Sequence, residues 1–136
     1  MRLTLGLVVV LGLALPACSG GGTGGGCGSP PATLATVPSV AKAFPAPPGL
    51  NVIGVEHKTP VTEIIAAVDA DVAQVFQGYQ QALSGAGYLV HNPQHGSDLA
   101  TLEFSGSSTV GTVHLAEECP GRTYVTVSIT EAAGPA

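Results

Sequence analysis

Glycine and proline placement constrains this chain more than any other feature. Between residues 20 and 28 seven of nine positions are glycine, and six prolines fall between 30 and 48. Beyond Leu50 both thin out and hydrophobic periodicity takes over. A stretch with so little side chain to bury cannot assemble a core, and its proline-rich continuation is stiff and extended. Folding is therefore confined to the residues that follow, and we place the module at 50–132. The glycine tract is not a phosphate loop, because no Lys-Ser/Thr follows it and no strand precedes it. A disordered N-terminal tether over 18–49 is the expectation. The apolar spacing of Val37 to Phe44 leaves two readings open there, one face packed on the module or a loose lead-in.

The module reads as alternating short elements. Asn51 to His57 and Val61 to Val68 are strand-like and separated by Thr59-Pro60. Val72, Val75, Phe76, Tyr79 and Leu83 then fall at helical spacing and form a single apolar stripe. Asp69 suits the N-cap, since its carboxylate can accept from first-turn amides. Gly85 and Gly87 supply a stop, giving a helix over about 70–85. Tyr88 to His91 reads as a short strand and Asn92 to Asp98 as a polar loop. Leu99 to Phe104, Val110 to Glu118 and Arg122 to Thr130 follow as strands. Ala100, Leu102 and Phe104 read inward, as do Val125, Val127 and Ile129, with Tyr124, Thr126 and Ser128 turned the other way. Pro120-Gly121 fits the two central positions of a type II turn. The expected fold is α+β, a two-layer domain in the order ββαββββ. Five to six antiparallel strands carry one amphipathic helix on one face, and the other face is rich in Thr, Ser and His.

Composition narrows the function classes. Only 10% of residues are charged and Lys plus Arg number four, against about a quarter charged in a typical domain. A polyelectrolyte chain and a basic nucleic-acid binder are both excluded.

Met1-Arg2 begins the chain with positive charge, and Leu3 to Leu15 is apolar or glycine apart from Thr4. As a helix this run spans roughly 20 Å, shorter than the about 20 residues a bilayer core requires, and it fits a secretory h-region. Leu15-Pro16-Ala17-Cys18 follows, with a polar Gly/Ser tract behind it. This resembles the lipobox of bacterial lipoproteins and implies a signal peptide over 1–17, cleavage after Ala17 and a diacylglyceryl group on Cys18, with acyl chains of the palmitate type. The alternative is an ordinary signal peptide that leaves Cys18 free. The whole chain is similar to small actinobacterial-type envelope lipoproteins, and Ala82 to Tyr88 resembles an "ALxxAGY" stretch of such modules. The resemblance implies a location at the cell membrane, lipid-anchored on the extracytoplasmic face, and no particular chemistry. Without its leader the chain has three basic residues (Lys42, Lys58, Arg122) against nine acidic, a net of −6. Anchoring then depends on acyl chains, and neither nucleic acid nor anionic headgroups suit it as partners.

With Cys18 lipidated, Cys27 and Cys119 remain. Outside the cytoplasm disulfides persist, so a Cys27–Cys119 bridge is expected; two free thiols, or metal or redox work, are the other readings. Only residues 19–26 would separate the bridge from the lipid, a reach of about 30 Å at about 3.5 Å per residue.

His91, His95 and Asp98, within HNPQHGSD, form the candidate interaction loop. A His-x3-His pair serves a metal when both lie on one helix face, and Pro93 and Gly96 make a loop of it, so no metal, cofactor or catalytic residue is assigned. His57 and His114 read as surface positions. No G-x-S-x-G elbow occurs. The expected role is a non-enzymatic accessory or interaction module working on an envelope protein partner. The alternative is a carrier holding a lipid or other apolar ligand between helix and sheet.

Overall fold

A computed structural model describes residues 27–106 and 108–131. Cys18 and the leader lie outside the described residues. The elements are α1 (Ser39–Ala43), β1 (Asn51–Lys58), β2 (Val61–Val68), α2 (Val72–Gly85), β3 (Leu89–His95), β4 (Leu99–Ser105), β5 (Thr109–Cys119) and β6 (Arg122–Glu131). All six strands join one antiparallel sheet in the order β1-β2-β6-β5-β4-β3. The α+β class, the six-stranded antiparallel sheet and the helix packed on it are as the periodicity predicts. The order gains a helix, α1, ahead of the expected ββαββββ.

The core forms between the sheet and what covers it. Directly paired residues share a face, and Ile64, Val127, Val113 and Leu102 make one buried row through consecutive strand pairs, as do Ala66, Val125, Leu115 and Ala100. Against them α2 presents Val72, Val75, Tyr79 and Leu83, each at most 2% exposed. The expected stripe holds except at Phe76, which is only half-buried.

The N-cap is Asp71 and not Asp69: its Oδ1 accepts from the Gln74 amide at 2.8 Å. Asp69 is engaged elsewhere, accepting from Arg122 Nε at 3.2 Å. At the other end Tyr88 N–H donates to the Leu83 carbonyl at 2.9 Å and Gly87 N–H to that of Ser84 at 3.1 Å. With Gly87 at φ 89° this is a Schellman ending.

The stretch ahead of β1 covers the same face. Leu34, Val37, Val40, Phe44, Ala46 and Leu50 pack on the core, Leu34 N–H donates to Val52 O at 3.0 Å, and Phe44 meets Phe104 with ring centroids 5.2 Å apart. Of the two readings of Val37 to Phe44, the packed one is found. Its crossing over α2 explains Gly78, which weakens a helix by up to about 1 kcal/mol. A Cβ there would stand 2.7 Å from the Pro47 Cβ, so only glycine lets the two approach.

At one end of the sheet Cys27 and Cys119 stand at disulfide distance, Cα atoms 5.4 Å apart across a sequence separation of 92. Arg122, on the same hairpin, donates to the carbonyls of Gly28 at 3.1 Å and Ser29 at 3.4 Å. A covalent link and a buried guanidinium thus fix residues 27–29 at this end.

Candidate functional site

The face of the sheet away from α2 is uncovered, and strand register sorts its side chains into four rows. The first, nearest the bridge, runs Ala67, Tyr124, Ala116, Leu99 across β2, β6, β5 and β4. Leu99 and Tyr124 are its exposed apolar members. The second is Ile65, Thr126, His114, Thr101, Gln94. The third crosses all six strands as Glu56, Glu63, Ser128, Thr112, Glu103, His91. The fourth is Lys58, Val61, Thr130, Val110, Ser105, Leu89. Apolar side chains lie in both end rows, with Leu89 and Val110 exposed in the fourth; between them the face carries hydroxyls at its centre and carboxylates toward its two edges.

The candidate residues of HNPQHGSD do not share one loop. Asn92 to His95 continue β3 as a bulged edge strand, correcting the expected loop. His91 pairs with Glu103 and Gln94 with Thr101, so one extra residue is accommodated, with Asn92 at φ 44°. The extra residue turns the following side chains over. His91 stays on the open face, where Nε2 shares a 2.7 Å hydrogen bond with Ser105 Oγ. His95 falls on the helix face, its ring stacked on Phe76 with centroids 5.2 Å apart. Asp98 sits in the β3–β4 turn, its carbonyl accepting from the Glu117 amide at 2.8 Å. The structure separates the two histidines across the sheet, and His91 and Asp98 sit at its opposite ends.

A shallow hollow of about 460 Å³ does gather part of this region, bounded by Gln94, His95, Asp98, Leu99, Thr101 and His114. His114, from the centre of β5, was set aside in the sequence as a surface histidine. Its place beside the hollow follows from register, which one strand's alternation does not give.

The Ser105–His91 pair invites comparison with a nucleophile and base. Such a pair needs a group orienting the far ring nitrogen and donors for an oxyanion. The nearby carboxylate does not fill the first role: Glu103 Oε2 accepts from Asn92 Nδ2 at 3.0 Å. His57 is also taken up locally, its Nδ1 sharing a 3.1 Å hydrogen bond with Thr62 Oγ1. Among the described residues no group of three or more His, Cys, Asp or Glu is placed to hold a metal ion.

Charge on the face is uneven. Glu56 and Glu63 stand directly opposite one another on β1 and β2. Lys58 offsets them, with Nζ 3.2 Å from Glu56 Oε2. Its hydrogen bond to Glu56, with the charges of Glu56 and Glu63, raises the lysine above its ordinary pKa. Of the other cations described, Arg122 is buried beside Asp69 and Lys42 lies on α1.

No protein-family model, curated protein or solved structure matches the chain. No helix among the described residues is long and apolar enough to cross a membrane.

Proposed function

We propose that the chain is a lipid-anchored envelope protein of the extracytoplasmic membrane face, whose module docks a protein partner on its open sheet face and performs no chemistry of its own. The observation that carries this reading is the contrast between the two faces. One is sealed by α2 and the 34–50 stretch, while the other is a continuous, uncovered surface across six strands.

Anchoring is supported by Leu15-Pro16-Ala17-Cys18 behind an apolar leader. Two acyl chains at about 0.8 kcal/mol per buried methylene suffice for stable attachment. The fixed position of residues 27–29 supports a short leash, since only residues 19–26 intervene. On this reading the bridge end, with Leu99 and Tyr124 nearby, is the membrane-proximal end of the module.

A carrier of an apolar ligand between helix and sheet is disfavoured by the filling of that space. Tyr79 and Leu83, at 0% exposure, already occupy it together with Leu102, Val113, Leu115 and Val125.

Intact-mass analysis of the protein from membranes, alkylated with and without reductant, tests anchoring and bridge together. The expected species begins at Cys18, carries a diacylglyceryl group and takes up alkyl groups at two cysteines only after reduction. A soluble, unacylated species in the wild type, or two thiols reactive without reductant, would contradict the proposal.

A further inference from the structure

We infer that the partner of the open sheet face is a protein surface presenting two basic side chains about 14 Å apart, received by Glu63 and Glu103 with the hydroxyls of Ser128 and Thr112 between them. The inference rests on the reading of the open face as the docking side and adds the chemistry of what docks there.

Members of the third row lie side by side through direct strand pairing, so Glu63 and Glu103 are separated by three strand spacings. At about 4.8 Å each this is about 14 Å, the distance between every fourth residue of an extended chain. Neither carboxylate has an ion pair within 4 Å among the described residues; Lys58, paired to Glu56, is the one cation whose charge Glu63 feels, and none is placed beside Glu103. Glu56 has Lys58, whereas Glu103 receives only the neutral Asn92 amide, which orients it. The centre of the row is hydroxyl-bearing and half-buried, suited to accept and donate hydrogen bonds without bulk.

Charge selects among occupants. A second copy would bring the same acidic rows and a net of −6 against this face, so self-association is opposed. Nucleic acid and anionic lipid are opposed for the same reason. A basic partner gains in encounter rate and orientation more than in affinity, and its binding weakens as salt screens the contacts.

The probe is a short peptide with two lysines four residues apart, titrated into the purified full chain while amide shifts are followed and the Kd is measured. A peptide with glutamate in place of lysine is the control. Expected are shift changes centred on β2, β6, β5 and β4 residues of the third row and a Kd that rises with salt. The double variant Glu63→Gln/Glu103→Gln weakens the lysine peptide about fivefold or more, while Glu117→Gln/Glu118→Gln, equal in charge but at the bridge end, changes it less than about twofold. Equal weakening by both pairs, shifts gathered at the bridge end, equal binding of both peptides, or no binding would overturn the inference. If crosslinks from the open face nevertheless reach a partner lacking a basic surface, the docking side stands and only its proposed chemistry fails.

Discussion

Two polar groups inside the module behave differently because one is partnered and the other is not. The buried Arg122 guanidinium donates to Asp69, Gly28 and Ser29, and a buried charge with several acceptors is tolerated. Tyr79 is fully buried, and its hydroxyl has no hydrogen-bond partner. A stranded hydroxyl costs about 1–3 kcal/mol, so Tyr79→Phe should stabilise the module by about 1 kcal/mol, a gain of several degrees in Tm for a domain of this size. Burial pushes the Tyr79 phenol well above its ordinary value of 10.0. In the unfolded chain it ionises near pH 10 while the folded module keeps it neutral. Its contribution to stability is therefore complete below about pH 10 and is lost as pH rises toward the folded value. Denaturant melts of wild type and Tyr79→Phe from pH 8 to 11 should diverge increasingly above pH 10, with the wild type falling faster; parallel curves would show that the phenol is solvated. Residue-scale partners were the least legible part of the sequence. Asp69 and Asp71 are both good N-cap residue types; the cap falls on Asp71, and Asp69 meets Arg122 from a hairpin fifty-three residues away, a partner no local pattern shows.

At the scale of elements, alternation and turn chemistry carried most of the fold. The strands from Leu99 onward, the Pro120-Gly121 turn and the α2 stripe follow from local pattern, because each buries one face. Two features escaped it. The β3 bulge looked like a loop, since Asn-Pro between polar neighbours has no alternation to display; only pairing with β4 reveals the strand. Gly111 likewise carries no local signal of its constraint. On β5 it stands opposite Phe104, and a Cβ would collide with the Ser128 carbonyl oxygen and the Phe104 ring. The aromatic ring fills the space the missing side chain leaves. Gly111→Ala is expected to cost at least about 2 kcal/mol, measured by chemical denaturation. Shortening the ring in Phe104→Leu/Gly111→Ala should recover only part of the loss, because the Ser128 carbonyl remains in the way. A Gly111→Ala protein as stable as wild type would refute this packing.

For the whole molecule, the split between tether and module at residue 50 describes the composition well. The 34–50 stretch nevertheless packs on the core; for Val37 to Phe44 this is one of the two readings, while for Leu34 and Ala46 it corrects the expected disordered tether. Its apolar residues are broken up by prolines, so their spacing leaves the packing undecided, and contact with α2, β1 and β4 shows their use. The same packing makes the molecule two-sided, one face sealed and the other open, while the Cys27–Cys119 contact and Arg122 hold residues 27–29 at the bridge end. The candidate site was partly legible: a Thr, Ser and His face was expected, but which of its hydroxyl, acidic and apolar residues stand side by side depends on register. On the proposed function this face, and not the helix side, meets the partner. In-cell photo-crosslinking from a photoreactive residue at position 114, in the middle of the open face, and from another at exposed position 77 on α2 tests it most directly. A discrete crosslinked protein in the membrane fraction is expected from position 114 and none from position 77. Crosslinks from 77 alone, equal crosslinks from both, or none from 114 would contradict it.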